Sequence, residues 1–213
     1  MSEFNIDHLN KIAFSALAGA ALMHMLKKQR DAVGLSIFSD HYDFYAPEKG
    51  SERHHQMLLD QLSKAVITKQ LNKTTETYTY LHQIAEKIHR RSMIFLFTDM
   101  FQTSYDQTKL FEALRHLKYN KHEVILFHVI DKEKELAFDF DNAPRRFVDV
   151  ETGEHINLYA DSIKTNYEKA VNDYFADLKL KCGQYKIKYV EADINKNFDQ
   201  ILTTYMVERQ RFS

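Results

Sequence analysis

The run MIFLF at Met93–Phe97, followed by Thr98 and Asp99, decides the fold of this 213-residue chain. Five apolar residues in succession are typical of a strand in a parallel sheet, where helices cover both faces. The run EVILFHVI at Glu123–Ile130, which ends at Asp131, shows the same pattern. A helical pattern separates the two runs, and this alternation predicts parallel strands joined by crossover helices.

The alternation continues along the chain and predicts a single α/β domain over residues 1–213. We expect a mostly parallel, Rossmann-like sheet in three layers, with helices on both faces. The predicted strands are Val33–Phe38, Phe44–Ala46, Met93–Phe97, Glu123–Ile130 and Ile187–Val190, and the predicted helices span residues 7–29, 51–64, 76–91, 106–117, 163–182 and 197–208. A predicted hairpin around Thr152 and Gly153 interrupts the alternation of strands and helices over about residues 136–160.

Three residues are predicted to mark the ends of elements. Asp7 suits the N-cap of the first helix, because its carboxylate can accept from the unpaired backbone N–H groups there. Pro47 is expected to end the second strand, since proline cannot donate to a ladder. Gly183 is expected to close the helix before it, because glycine readily adopts the left-handed conformation.

Charge and composition exclude several classes of protein. The 29 Lys and Arg residues balance the 30 Asp and Glu residues, so the basic excess of a nucleic-acid-binding protein is missing. The single cysteine, Cys182, cannot form an intramolecular disulfide. The most apolar stretch, Ile12–Leu26, is too short to cross a bilayer easily. These features predict a cytoplasmic protein that contacts neither nucleic acid nor membrane.

Polar side chains follow the predicted parallel strands, where ligands bind in open α/β sheets. They are Ser39, Asp40, Thr98, Asp99 and Asp131. Clustered oxygen atoms of this kind suit Mg²⁺, and the same residues would also form a polar interaction edge. The alternative is that each one simply caps the following helix.

No familiar catalytic template is present. The sequence lacks HExxH, CxxC, GxSxG, GxGxxG and GxxxxGK[ST]. His82 and His89 lie two helical turns apart, too far for a zinc pair, and His128 is expected to be a structural histidine. We therefore predict no enzyme. The alternative is a Mg²⁺-dependent phosphoryl-transfer enzyme or nuclease that uses Asp40, Asp99 and Asp131.

Several stretches together resemble one known family. They are RDAVGLSIFSD (30–40), AEKIHRRSMIFLFTDM (85–100), HEVILFHVIDKEKEL (122–136), DVETGEHI (149–156) and NFDQILTTYMVERQR (197–211). They are similar to the bacterial family catalogued as domain of unknown function 58, whose members are von Willebrand factor A-like proteins.

The resemblance implies a von Willebrand factor A-like fold with a metal-ion-dependent adhesion site on the carboxyl edge of its sheet. In such sites a DxSxS motif, a threonine and an aspartate hold Mg²⁺. The resemblance also implies a non-enzymatic adaptor that works with a MoxR-type AAA+ ATPase on client proteins, in their maturation or in complex assembly.

Transferring the adhesion site to this chain leaves it incomplete. Asp99 matches the strand-end aspartate, and Thr75 lies near the threonine position, with Thr74 as an alternative. The DxSxS motif, which ends the family's first strand, is absent from the sequence. We therefore expect no cofactor and weak or no Mg²⁺ binding by this chain.

Under this resemblance the sequence is expected to begin after the family's first strand, which would change the sheet. In the family it lies between the strands that match Val33–Phe38 and Met93–Phe97. Buried backbone groups without partners cost about 1–3 kcal/mol each. We therefore predict that these two runs pair directly and that both are interior strands, as is Val124–Ile130. The alternatives are strand exchange in a homodimer, or a longer protein of which this chain is a fragment.

Overall fold

The computed structural model describes residues 10–38, 42–67, 77–89, 91–99, 104–133, 144–148 and 155–212. Their elements are, in chain order, α1 (Lys11–Lys28), β1 (Val33–Phe38), β2 (Tyr42–Lys49), α2 (Glu52–Ile67), α3 (Thr77–Lys87), β3 (Met93–Thr98), α4 (Ser104–Tyr119), β4 (Glu123–Ile130), β5 (Pro144–Val148), β6 (His155–Tyr159), α5 (Ala160–Gln184), β7 (Lys188–Asp193) and α6 (Asp199–Phe212). None of these helices combines the length and apolar character needed to cross a bilayer.

A parallel sheet with the strand order β3-β4-β7 forms the centre of the structure. Met93 pairs with Glu123 at one end of the β3–β4 ladder, and Ile130 pairs with Asp193 at the far end of the β4–β7 ladder. Residues 124–130 of β4 are all buried. The predicted α/β class is confirmed, as is the prediction that β4 is an interior strand.

Alternate residues of β3 contribute to two different apolar clusters. Phe95 and Phe97 pack in one cluster with Phe14 of α1 and Tyr205 of α6. Leu96 belongs to the other cluster, which α3, α4 and α5 complete. Because successive strand residues point to opposite faces, helices cover this sheet on both sides.

The expectation that β1 belongs to the parallel sheet is wrong. β1 instead pairs antiparallel with β2, which is longer than predicted and continues through Pro47. Between the Leu35–Ala46 and Val33–Lys49 pairs the register shifts. Pro47 falls in this irregular part of the ladder, where its missing N–H is tolerated. A Cβ atom on Gly34 would lie 2.9 Å from the Ala46 carbonyl oxygen, so this close approach requires glycine.

Direct pairing of β1 with β3 is also wrong. Among the described residues, β1 pairs only with β2 and β3 pairs only with β4, so neither is an interior strand. A cavity of about 660 Å³ lies between them. α1 contacts both sheets, because Phe14 packs against the parallel sheet while Met23 packs with Val33 of β1.

The ends of two helices differ from the prediction. α1 begins at Lys11, and its N-cap is Asn10 rather than Asp7, with the Asn10 side chain accepting from the Ala13 N–H at 2.7 Å. α5 continues through Gly183, and the left-handed residue that follows it is Lys186. The Lys186 and Ile187 N–H groups then donate back to the last turn of α5.

The predicted hairpin is confirmed where the structure describes it. β5 and β6 pair antiparallel, with Pro144 opposite Tyr159 and Val148 opposite His155. The turn at residues 149–154 and the start of the excursion at residues 136–143 lie outside the described residues. The organisation of residues 1–213 as one domain stays a prediction.

The central position of β4 predicts a large cost for shortening its side chains. Leu126 is fully buried, whereas Leu180 on α5 is 62% exposed. We expect Leu126→Ala to lower the free energy of unfolding by about 2–5 kcal/mol, because it removes buried contacts and leaves a cavity. Leu180→Ala is the matched control and should change it by less than about 0.5 kcal/mol. Urea unfolding measures both, and equal losses in the two variants would contradict the assigned core.

Candidate interaction edge at the strand ends

Three of the predicted site residues lie on the carboxyl edge of the parallel sheet. Thr98 ends β3, Asp99 follows it, and Asp131 follows the neighbouring strand β4. Because adjacent parallel strands end on the same edge, the structure brings these three residues to one side of the molecule. The remaining predicted site residues, Ser39, Asp40 and Thr75, lie outside the described residues.

The backbone at Asp99 is held by a hydrogen bond to a buried histidine. His128 of β4 is fully buried, and its Nε2 lies 2.7 Å from the Asp99 carbonyl oxygen. Its Nδ1 lies 2.7 Å from the Tyr189 hydroxyl of β7. A carbonyl oxygen can only accept, so Nε2–H donates to Asp99 and the Tyr189 hydroxyl donates to Nδ1. This chain of hydrogen bonds fixes the backbone of Asp99, whose own side chain is exposed.

Burial keeps this histidine neutral. Desolvation lowers the pKa of His128 to about 4, although the Asp99 carbonyl favours the charged form. The edge of the ring meets Phe175, with centroids 4.6 Å apart. Desolvation also raises the pKa of Tyr189 far above its usual range. Both groups therefore stay uncharged near neutral pH, and the prediction of a structural role for His128 agrees with this environment.

Asp131 is buried and belongs to a second network at the edge. The side-chain amide of Asn195 donates to Asp131 Oδ1 at 2.9 Å and to Asp193 Oδ1 at 3.3 Å. The backbone N–H of Asn195 also donates to Asp193 Oδ1, at 3.1 Å. The two carboxylates thus hold the loop after β7 against the end of β4.

Sequence reasoning missed Asp193 and Asn195 because it ended the last strand too early. The strand was predicted to stop at Val190, whereas β7 runs to Asp193. The sequence does contain a signal at this position. An aspartate at a strand end followed two residues later by asparagine is typical of a turn in which the carboxylate accepts from a nearby backbone N–H.

A pair of histidines was missed as well. His82 of α3 and His116 of α4 face each other with their Nδ1 atoms 3.1 Å apart, and His116 Nε2 lies 3.1 Å from a Glu86 carboxylate oxygen. Helical spacing relates His82 to His89 on the same helix. It carries no information about His116, which lies on α4. One Nδ1 must donate and the other accept, so the contact is a hydrogen bond that joins the two helices.

The side-chain chemistry of the described residues is limited. Among them, no group of three or more His, Cys, Asp or Glu side chains is placed to hold a metal ion. Burial raises the pKa of the Cys182 thiol to about 12, so this group is not a ready nucleophile. Of the aspartates that the structure describes at this edge, Asp99 is exposed, whereas Asp131 and Asp193 are buried.

Comparison with known proteins adds a family assignment. Residues 2–176 match the model of a family described as "Protein of unknown function DUF58". No curated protein matches the chain, and no solved structure matches it either.

The environment of His128 predicts a loss of stability in acid. Its pKa in the folded protein is about 4, below the ordinary value of 6.5, so between these values the unfolded chain binds more protons. The contribution of neutral His128 to the free energy of unfolding should be fully present above about pH 6.5. The free energy of unfolding should then fall by roughly 3 kcal/mol in total as the pH drops towards about 4.

His128→Gln tests this assignment, because its amide can still donate to the Asp99 carbonyl but does not titrate. Urea unfolding at about pH 7 and about pH 5 should show a loss that is smaller in the variant by about 2 kcal/mol. An identical acid loss in both proteins would show that His128 does not control it.

Magnesium binding can be tested on the same edge. Asp99 supplies one carboxylate, and the negative charge of a single carboxylate compensates poorly for the water ligands that Mg²⁺ would lose. Calorimetric titration of the chain with Mg²⁺ should therefore give weak or undetectable binding. A micromolar affinity that disappears in Asp99→Ala would contradict this expectation.

Proposed function

The chain belongs to DUF58, a family of proteins of unknown function, and we propose that it is a non-enzymatic protein-interaction module with a von Willebrand factor A-like fold. The proposed partner is a MoxR-type AAA+ ATPase, for which the module acts as an adaptor in the maturation or assembly of client proteins. This role places the protein in the cytoplasm.

The observation that carries the proposal is that Asp99 is exposed on a backbone position held by a hydrogen bond. Its carboxylate is exposed, while its carbonyl accepts from fully buried His128. A charged group on a fixed backbone loses little conformational entropy when a partner binds it, which favours recognition of a basic or hydrogen-bond-donating surface.

The other carboxylates at this edge support contact rather than catalysis. Asp131 and Asp193 are buried and accept from Asn195. An acid or base in catalysis must reach the substrate, and a nucleophile needs a base within hydrogen-bond distance. Both carboxylates serve instead to hold the loop after β7 against the end of β4.

The proposal predicts that binding of the ATPase depends on Asp99. Asp99→Asn keeps the size of the side chain and removes its charge, so we expect the dissociation constant for a MoxR-type ATPase to rise at least about fivefold, or about 1 kcal/mol. Surface plasmon resonance with the immobilised ATPase measures this change.

Asp173→Asn is the matched control, because Asp173 is an exposed carboxylate on α5 and the substitution removes the same charge. It should leave the affinity unchanged. Equal losses in the two variants would indicate an effect of net charge alone. Turnover of generic phosphatase or nuclease substrates that needs Asp99 would favour the enzyme over the adaptor.

A further inference from the structure

His82 of α3 and His116 of α4, here called the histidine pair, project from two helices whose positions are fixed by the core. Leu81 precedes His82 and Leu117 follows His116, and both leucines are buried in the same apolar cluster. The two Nδ1 atoms lie 3.1 Å apart. Side chains on packed helices are held more precisely than side chains on loops. The core therefore sets the spacing of the two imidazole rings.

Two further contacts join the same helices on either side of the histidine pair. The Lys109 ammonium group donates to the Tyr78 hydroxyl at 3.2 Å. The side-chain amide of Asn120 donates to the Ala85 carbonyl at 2.9 Å. The contacts follow the same order along both helices, so α3 and α4 run parallel. The histidine pair thus lies between two hydrogen bonds that oppose sliding of one helix along the other.

The separation of the two Nδ1 atoms suits two ligands of one metal ion. Zinc binds imidazole nitrogen at about 2.0–2.1 Å, so two nitrogens lie about 3.3 Å apart in tetrahedral geometry and about 2.9 Å apart at a right angle. The observed 3.1 Å falls between these values. An ion would lie beside the line that joins the nitrogens, so each ring would turn about χ2. The energy minima of that torsion in histidine are broad.

Glu86 already holds His116 in the form that a metal ligand needs. His116 Nε2 lies 3.1 Å from a carboxylate oxygen of Glu86. That oxygen can only accept, so in the neutral ring the proton is on Nε2 and the lone pair is on Nδ1. Histidine ligands in metal sites commonly donate their other N–H to a carboxylate in this way, which fixes the ring and makes the ligand nitrogen more basic.

The histidine pair also opens into a space large enough for an ion with its water ligands. A cavity of about 430 Å³ is lined by both histidines together with Glu112, Arg115 and Tyr119. The side chains of Glu112, Arg115 and Tyr119 are exposed, whereas the two histidines are only partly buried. An ion from solution can therefore reach both Nδ1 atoms without any helix moving aside.

We propose that the histidine pair binds one divalent transition-metal ion of the zinc type through His82 Nδ1 and His116 Nδ1, with water in the remaining positions. Imidazole suits such ions, whereas Mg²⁺ prefers oxygen ligands. The proton that His82 Nδ1 donates in the metal-free contact moves to His82 Nε2 by exchange with water. Among the described residues no group of three ligating side chains forms, so the expected affinity is micromolar.

This site is separate from the proposed interaction edge. His116 lies in the last turn of α4, shortly before β4 begins at Glu123. Asp99 follows the far end of β3, and adjacent parallel strands end on the same edge. The histidine pair therefore lies towards the opposite edge of the sheet. A bound ion would join α3 to α4, and this role can fail or hold independently of the role proposed for Asp99.

Calorimetric titration of the full chain with ZnCl₂ tests the site. We expect one ion per chain with a dissociation constant in the micromolar range. His82→Gln and His116→Gln each remove one Nδ1 ligand, and the glutamine at position 116 can still donate to Glu86. Even indirect partners of a metal ligand contribute about tenfold to affinity, so each variant should raise the dissociation constant at least about tenfold.

His24→Gln is the matched control, because His24 is an exposed histidine on α1. It should leave the affinity unchanged, provided that all three variants keep the wild-type circular dichroism spectrum. Equal losses in the three variants would overturn the proposal. Binding of several ions that neither His82→Gln nor His116→Gln weakens would also overturn it, since this result would indicate adventitious binding to surface histidines only.

Hydrogen exchange of the wild-type chain keeps the test decisive if a variant does not fold. Saturating Zn²⁺ should slow exchange of α3 and α4 amides more than exchange of the amides of α6, which contains no histidine. The same concentration of Mg²⁺ should have no such effect. Uniform protection, no protection, or equal protection by Mg²⁺ would overturn the proposal.

Discussion

The pairing of β4 with two parallel neighbours is the constraint on which the rest of the structure depends. β4 bonds to β3 on one side and to β7 on the other, and residues 124–130 are buried between two apolar clusters. A strand in this position must satisfy its backbone groups on both edges and cover both faces with helices. The helices that cover it, α1 and α6 on one face and α3, α4 and α5 on the other, are placed by this requirement.

The strand ends inherit their geometry from the same ladder. Thr98 lies opposite His128 in the β3–β4 register, which puts the histidine ring within reach of the Asp99 carbonyl. His128 in turn is opposite Glu191 of β7, so Tyr189, two residues earlier on the same face, can reach its other nitrogen. Shifting either ladder by one residue would turn His128 to the other face and break both contacts. The fixed position of Asp99 is therefore a property of the sheet and not of the loop.

Local patterns in the sequence were sufficient for the elements but not for their partners. The apolar run at β4 identified an interior strand because continuous burial requires covered faces on both sides. The similar run at β1 was assigned to the same sheet, although its true partner is β2 in an irregular antiparallel ladder that Gly34 and Pro47 help to define. At the site, Thr98, Asp99 and Asp131 were predictable as residues at strand ends. The contacts of Asn195 with Asp131 and of His82 with His116 join residues 64 and 34 positions apart, and no local period reports such distances.

The incomplete coverage of β3 distinguishes it from β4, its neighbour in the parallel sheet. An interior strand and an edge strand differ in what their sequences need, because edges in natural proteins are usually short, charged or covered. β3 has the apolar composition of an interior strand and, among the described residues, the pairing of an edge strand. Side chains of β3 such as Ile94 and Phe97 are therefore only partly buried, whereas every residue from Val124 to Ile130 of β4 is buried. The same apolar pattern in the sequence thus corresponds to two degrees of coverage, because burial depends on what packs beside a strand as well as on the helices over its faces.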